Sequence, residues 1–492
     1  MMLQLLLHAL IYAQIAAAGT STVALPYGTF QGLTTGNVTQ FLGVPFAQAA
    51  RFRTPKEPAL LRGVQNATSF GPACPQQRLS PIPDVAVGST YPSVSEDCLS
   101  LNVFGPTIRG RSSELPVFVW IHGGGFEVGS SRDYDLPPVV EQSIKMAQPV
   151  IVQSGAAVHI DAQSDGQSDY DNLVAAVNCT GPSDSLNCLR LVPFDTLMAA
   201  INNTADIFSY RSLNLAWAPR IDGDIIERDP WSAISAGMYA KIPMLVGMSD
   251  DEGTLFSLST LNITTDTGFM GYVRSRWVAR EFSNSFFGEF WRNSYFPEAS
   301  ADQMTQIPSL YPSDPTQVSD FLPIIPEHDL QFSRGLSIWN GYRERAHARI
   351  QATGRNPRRH VDNVSTTILA GTRIGNAEYM GLVKTANGPL GAYHGSDTPI
   401  WFTTNSSAGT EGINALINFI NTLDPNMSAT NSSQTNSLSV PWPEWNSTAV
   451  SDDFGVLLTF GDNGTNITAE DFRLNAVNFL NELRLEEANT GN

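Results

Sequence analysis

A series of short apolar runs, separated by longer stretches with helical spacing, is the feature that most constrains the fold of this chain. Three of the runs are LPVFVWIHGGGF (115–126), PVIV (149–152) and IPMLVGMSDDEGT (242–254). Apolar strands that alternate with helices favour a mostly parallel sheet with helices on both faces, because parallel neighbours need a long crossover connection. We therefore expect an α/β fold in which these runs form buried strands.

The rest of the chain indicates one large domain. The sequence has 492 residues, of which 42% are apolar, and this length suffices for a substantial α/β core. No internal repeat and no linker-like stretch divides it, so we predict a single domain over 19–492. We expect the polar tract 405–439 to lie on its surface and DFRLNAVNFLNELRLEE (471–487) to form a closing helix.

Charge and the first residues indicate where the protein works. The net charge of -18 argues against nucleic acid as a partner, because an acidic surface repels phosphate backbones. Residues 1–18 form an apolar run that ends in three alanines, which is typical of a cleaved signal peptide. The rival interpretation is an uncleaved anchor, but the run is short for a membrane span and is diluted by polar residues. We predict a secreted, extracellular protein with no stable membrane anchor.

Two further features agree with secretion. N-x-S/T sequons are abundant, which predicts N-linked glycans. The four cysteines fall in two local pairs, Cys74 with Cys98 and Cys179 with Cys188, and this is one of three possible disulfide pairings. None of them lies in a C-x-x-C motif and no histidine lies at ligand spacing from them, so we expect no metal site.

Three motifs suggest the chemistry of acyl transfer. In WIHGGGF (120–126) a strand runs into three glycines, whose uncovered amides can hold a developing oxyanion, as in lipases and esterases. In GMSDDEGTLF (247–256) a strand end presents carboxylates, and one of them could orient a histidine. In GAYHGSD (391–397) a histidine lies between glycines. The plain alternatives are a glycine-rich turn, a solvated acidic cap and a structural histidine.

The order of these motifs, oxyanion loop, acid and histidine, is the α/β-hydrolase order with the nucleophile missing. On this order and its segments, the chain resembles the type-B carboxylesterase family, which includes fungal secreted lipases and cholinesterases. The matching segments are FLGVPFAQ (41–48), SEDCLSLNVF (95–104), WIHGGGFEVGS (120–130), CLRLVPFDTL (188–197), PRIDGD (219–224), the DEGT and YHGSD segments, and the WPEW and LLTFGD stretches near the end.

The resemblance implies a fold and a set of roles. The fold is the α/β-hydrolase fold, the substrate is a small-molecule or lipid ester, and no cofactor is needed. Glu252 matches the catalytic acid, and His394 matches the general base. Gly124 and Gly125 match two donors of the oxyanion hole. The cysteine pairs named above match the family's disulfides.

The nucleophile of that family has no counterpart in this chain. No G-x-S-x-G occurs anywhere in the sequence. In the family, the nucleophile elbow lies between the strand that PVIV begins and the strand that ends in QSGA. Here these pieces are fused at Val152 and Gln153, so about two central βα units are absent. Ser154, Ser130 and Ser131 are possible substitutes, but none lies in an elbow, and we expect none of them to act.

The absence leads to two hypotheses about function. The first is a carboxylic-ester hydrolase by descent, inactive as it stands, produced by exon skipping or by a misread exon boundary. The second is a non-catalytic, cholinesterase-like adhesion or binding protein. The loss of a buried central strand also leaves backbone groups unpaired, at about 1–3 kcal/mol each. A stable secreted product with a binding partner would favour the second hypothesis.

Overall fold

A computed structural model describes most of the chain outside its first eighteen residues and the segment 311–377. The described residues are 19–81, 90–107, 117–134, 136–142, 150–154, 160–181, 183–211, 215–236, 238, 244–250, 252–260, 272, 300–310, 378–384, 392–403, 406–427, 438–444, 456–469, 479 and 483. The predicted signal peptide and nearly all of the predicted closing helix lie outside them.

The described residues belong to two compact units. The first lies within 1–76, 89–122 and 128–146, and the second lies within 77–88, 123–127 and 147–492. Each unit has its own five-stranded sheet. The prediction of a single domain over 19–492 stays a prediction.

The sheet of the first unit is mainly antiparallel. Its strand order is β1-β2-β3-β5, and β4 pairs in parallel with β2. Phe30, Phe41, Val44 and Ala67 form a buried cluster against it. The strands are β1 (Gly19–Leu25), β2 (Gly28–Thr35), β3 (Val38–Pro45), β4 (Val64–Asn66) and β5 (Ser100–Pro106).

The run before the glycines differs from the prediction of a buried strand. Residues 117–122 have no regular secondary structure. Val117, Val119 and Ile121 are 80%, 70% and 84% exposed. Within the described part of the chain, no strand pairs with this run. Because a strand depends on ladder partners and on a covered face, the apolar alternation alone does not make one here.

The sheet of the second unit is mostly parallel, as predicted. Its order is β10-β9-β8-β7-β6, and all pairings except that of β9 with β10 are parallel. The strands are β6 (Val150–Gln153), β7 (Met244–Ser249), β8 (Glu378–Lys384), β9 (Val456–Gly461) and β10 (Gly464–Ala469). Within the fused run PVIVQSGA, the residues Val150–Gln153 form one strand, β6, with Gln153 beside Gly247 of β7.

Nine α-helices are described. The longest of them, α9, contradicts the prediction that 405–439 lies on the surface. Ile413, Leu416, Ile417 and Ile420 recur at helical spacing on α9 and are at most 5% exposed. The helices are α1 (Pro137–Gln142), α2 (Gln167–Ala176), α3 (Ser185–Leu191), α4 (Phe194–Ile201), α5 (Pro230–Ser235), α6 (Thr254–Ser257), α7 (Ala301–Leu310), α8 (Thr398–Phe402) and α9 (Ser407–Thr422). None of the helices in the described ranges is long and apolar enough to cross a membrane.

Candidate active site

The acidic motif places one carboxylate in the interior of the second unit. Strand β7 ends at Ser249, and the turn after it brings Glu252 back against the strand end, where Glu252 is 1% exposed. The backbone N–H of Ser249 donates to Oε1 of Glu252 at 2.7 Å. The hydroxyl of Ser154, at the end of β6, donates to the same oxygen. Two donors therefore fix the carboxylate from the sheet side.

The predicted histidine lies against the other oxygen of this carboxylate. Nδ1 of His394 is 2.7 Å from Oε2 of Glu252. Gly395 follows with a φ of 84°, a left-handed conformation that glycine adopts without strain. The ring of Phe256 lies 5.2 Å from the imidazole, centroid to centroid. The carboxylate favours a proton on Nδ1, and this makes Nε2 the basic nitrogen of the ring.

Glu252 and His394 differ in exposure and in charge. The side chain of Glu252 is 1% exposed and that of His394 is 37% exposed. Burial by itself raises the pKa of Glu252, but the charge of His394 and the hydrogen bonds from His394, Ser154 and Ser249 outweigh it. The pKa of Glu252 therefore lies below its usual range. A buried anion thus supports an imidazole that solvent can reach.

A second carboxyl group near the histidine, that of Asp397, stabilises the local structure. Asp397 is 6% exposed, and its Oδ2 accepts the indole N–H of Trp401 at 2.9 Å. Burial raises the pKa of Asp397, and the charge of Glu252 raises it further. Asp397 precedes α8 and fixes the end of the histidine loop.

Ser154 contacts the carboxylate of Glu252, a role that its sequence motif does not predict. Its φ is 45°, in the left-handed region, and its N–H donates to Gly247 O at 2.9 Å. The sequence offers it as a possible substitute nucleophile, but its hydroxyl donates to Glu252. Ser154 and Glu252 meet because β6 and β7 are adjacent parallel strands, whose carboxyl ends lie at one edge of the sheet. That adjacency cannot be read from the QSGA motif.

The glycine loop has the backbone conformation that its sequence predicts. Gly124 and Gly125 have φ values of 123° and 60°. A Cβ atom at Gly125 would lie 2.8 Å from Cγ2 of Ile207, so the close approach of this neighbour also requires glycine. The N–H of Glu127 donates to Gly124 O at 3.1 Å and closes the turn.

The other two serines form local contacts of the first unit. Oγ of Ser131 accepts the side-chain amide of Asn102 at 2.8 Å. The N–H of Ser130 donates to Asp133 Oδ2 at 2.8 Å. Both serines therefore take part in a turn that follows the glycine loop in the chain.

The four cysteines form the two local pairs. Cys74 is bonded to Cys98, and Cys179 is bonded to Cys188, with Cα–Cα distances of 5.0 and 5.7 Å. The second pair belongs to the buried cluster of α2, α3 and α4. Among the described residues, no group of three or more His, Cys, Asp or Glu is placed to hold a metal ion.

Comparison with solved structures defines the fold class. The crystal structure of Aspergillus niger EstA superposes with a TM-score of 0.68 at 20% identity, covering 95% of this chain and 99% of that one. The mostly parallel sheet, with Glu252 after one strand and His394 on a later loop, matches the arrangement of the α/β-hydrolase fold. The protein therefore has the α/β-hydrolase fold.

The chain belongs to the carboxylesterase family, whose model matches residues 19–144 and 138–311. It is similar to secreted lipase 1 of Botryotinia fuckeliana, with 26% identity over 88% of each protein. It is also similar to lipase 4 of Diutina rugosa, with 28% identity over 89% of this chain and 91% of that one. A third relative, secreted triacylglycerol lipase LIP1 of Gibberella zeae, is 25% identical over 94% of this chain and 90% of its own length.

Proposed function

We propose that the protein is a secreted carboxylic-ester hydrolase by descent, that Glu252 and His394 are its catalytic acid and base, and that it lacks the nucleophile as it stands. The contact between Nδ1 of His394 and Oε2 of Glu252, 2.7 Å long, carries this proposal. A buried anion behind a half-exposed imidazole is the arrangement that general-base catalysis needs. The glycine loop, Gly124 and Gly125, supplies two donors for an oxyanion.

In the complete mechanism, a serine attacks the ester carbonyl and His394 takes its proton. The alcohol leaves with that proton, and water then hydrolyses the acyl-enzyme. In this chain the base has no elbow serine to activate. Ser154 is a poor replacement, because its proton is directed to Glu252. A carboxylate whose pKa is lowered is a weak base, so it does not turn this serine into a nucleophile.

The alignments support the loss of an internal segment. The alignment to the Botryotinia lipase spans 543 positions, although only 88% of the 492 residues, about 433, takes part. The difference, 543 less 433, leaves about 110 positions without a residue here. The family model also matches in two pieces that meet at 138–144, just before β6. Both observations fit a deletion at Val152 and Gln153.

Secretion and glycosylation belong to the same proposal. The named secreted relatives support an extracellular location, and the two disulfides agree with an oxidising compartment. Sequons at exposed positions, such as Asn463 in the turn between β9 and β10, supply acceptor sites for N-linked glycans. We propose small-molecule or lipid esters as the substrate class of the complete enzyme.

The first test has two arms. In one, the transcript is amplified across codons 152 and 153, where we expect a longer product that encodes a G-x-S-x-G motif. In the other, the chain as it stands is secreted and tested on a short-chain aryl ester beside Glu252→Gln and His394→Ala. We expect all three proteins to give the same background rate. Turnover by the parent chain that both variants lose would overturn the proposal, since it would require a nucleophile within this sequence.

A further inference from the structure

Glu127, directly after the glycine loop, is a buried carboxyl group that the proposed mechanism does not use. The residue is 5% exposed. Its Oε2 accepts the backbone N–H of Ile207 at 3.0 Å. Its Oε1 is buried and has no hydrogen-bond partner. Since burying a carboxyl group is costly, its retention here requires a reason.

The backbone of Glu127 links the loop to a second segment of the unit. Its N–H donates to Gly124 O at 3.1 Å, and its carbonyl accepts the N–H of Gln77 at 3.0 Å. Gln77 is 5% exposed, and its side chain donates to both O and Oγ1 of Thr204 at 3.2 Å. Glu127 is therefore fixed on both sides of its Cα, and its side chain is free to hold one further element.

That further element is the turn 206–208. Oδ1 of Asp206 accepts the N–H of Phe208 at 2.9 Å, so the turn is stiff. Its central residue, Ile207, gives its N–H to Glu127 and its methyl group to Gly125. One residue thus contacts the glycine loop through both its backbone and its side chain.

The same turn reaches the histidine through two aromatic rings. The ring of Phe208 stacks on that of Phe256 at 5.8 Å. Phe256 in turn lies 5.2 Å from the imidazole of His394. A shift of the turn would therefore disturb the packing of Phe256 against His394 as well as the contact of Ile207 with the glycine loop.

We propose that Glu127 is a positioning residue, whose carboxyl group holds the turn 206–208 against Gly124 and Gly125 and so aligns the glycine loop with His394. This inference rests on the proposed function, because the catalytic use of the loop is part of that proposal. The contact itself exists whether or not the chain turns over, so it can be tested without an active enzyme.

The electrostatics make the contact sensitive to pH. Burial raises the pKa of Glu127 to about 7; the N–H of Ile207 opposes this rise, the charge of Asp206 adds to it, and that of Arg211 opposes it. Arg211 is itself paired with Asp169, at 2.9 Å. Below this pKa the carboxyl group is neutral and still accepts from Ile207. Above it, the carboxylate is ionised in a buried position beside Asp206, and this cost outweighs the stronger hydrogen bond that the ionised form accepts from Ile207. We therefore expect the junction to loosen as the pH rises.

Hydrogen–deuterium exchange read by mass spectrometry tests the proposal on the full chain, at about pH 6 and about pH 8 after correction for the intrinsic rate. We expect Glu127→Ala to speed exchange in the segments 121–128 and 205–208 by about tenfold at the lower pH, as the loss of one ordinary hydrogen bond implies. Helix α9 is the internal reference and should not change. Glu227→Ala, at an exposed glutamate, is the matched control.

The variant Glu127→Gln shows whether the carboxyl group acts through its hydrogen bond and its ionisation or only through the volume of its side chain. The glutamine oxygen can accept from Ile207 and does not ionise. We expect parental protection at the lower pH and no loosening at the higher pH, where the parent loosens. Unchanged exchange in Glu127→Ala, or equal pH dependence in the parent and Glu127→Gln, would overturn the proposal. If the alanine variant is not secreted, the pH comparison decides alone. An active parent chain would instead refute the proposed function and leave this result standing.

Discussion

Replacing Glu252 with glutamine is the perturbation whose effect the structure defines best. The volume is kept, but the carboxylate accepts from three donors and an amide cannot. If the amide oxygen stays with Ser154 and Ser249, the NH₂ group faces His394 Nδ1. The imidazole must then carry its proton on Nε2, and it can no longer act as a base there. The reverse orientation sets the NH₂ group against the Ser249 N–H.

The expected cost follows from these contacts. A hydrogen bond to a charged group contributes about 1.5–3 kcal/mol, and a neutral one contributes about 0.5–1.5 kcal/mol. The variant weakens all three bonds in the first orientation, and in the reverse orientation it loses the bond from Ser249. The relief from burying a charge offsets part of this loss, since burial alone disfavours the ionised form of Glu252. We therefore expect a loss of about 2 kcal/mol in the free energy of unfolding at neutral pH.

The stability difference between Glu252→Gln and the parent should shrink as the pH falls. The pKa of Glu252 is lowered in the folded protein, so its contribution is present above the unfolded value of about 4.5 and disappears as the pH falls through the folded value. Urea unfolding, followed by intrinsic fluorescence at pH values on both sides of this window, measures the difference from the parent. Glu227→Gln, at an exposed site, is the control. The reasoning fails if Glu252→Gln is as stable as this control at neutral pH.

Three further predictions use the same unfolding assay. Replacing Cys179 and Cys188 together by alanine should cost about 3 kcal/mol, because their bond closes a short loop with a sequence separation of nine residues; an unchanged midpoint would contradict this. Gly412→Ala should cost about 1–3 kcal/mol or more, since its Cβ would lie 2.3 Å from a backbone oxygen of α8. Gly105→Ala, with open space around the site, should cost less. Equal losses of stability in the two variants would refute the steric argument. Relative to Glu127→Gln, the free energy of unfolding of the parent should fall by up to about 3 kcal/mol between pH 4.5 and about 7. In that range the raised pKa of Glu127 makes the folded state bind a proton that the unfolded state has released. Parallel pH profiles of the two proteins would contradict this prediction.

Much of the second unit could be predicted from the sequence. The apolar runs at 149–152 and 242–249 contain the observed strands β6 and β7. In β7 this agrees with the burial that a parallel strand within a sheet requires. The roles proposed for Glu252 and His394 rest on the family resemblance and not on their own motifs. A strand-end acid and a loop histidine are each too common to identify a site, and only the fold brings them within 2.7 Å.

Other parts of the prediction failed for physical reasons. The alternation in 117–121 indicates a strand, but pairing depends on neighbours elsewhere in the chain, and three of its apolar side chains remain exposed. Helix α9 lies in a polar tract, yet it is buried, because its isoleucines and Leu416 recur at helical spacing. Burial of Asn418 is tolerated because its Nδ2 donates to Pro425 O at 2.9 Å. The contact of Ser154 with Glu252 depends on the register of two parallel strands, which no local motif encodes.

The central claim is that this chain keeps the acid and the base of an ester hydrolase without a nucleophile for them. Its most direct test is the intact mass of the secreted protein after incubation with an aryl organophosphate, which forms a stable adduct with an activated serine. We predict no adduct on the parent chain. A single phosphoryl group per chain, found on Ser154 and absent from His394→Ala, would contradict the account.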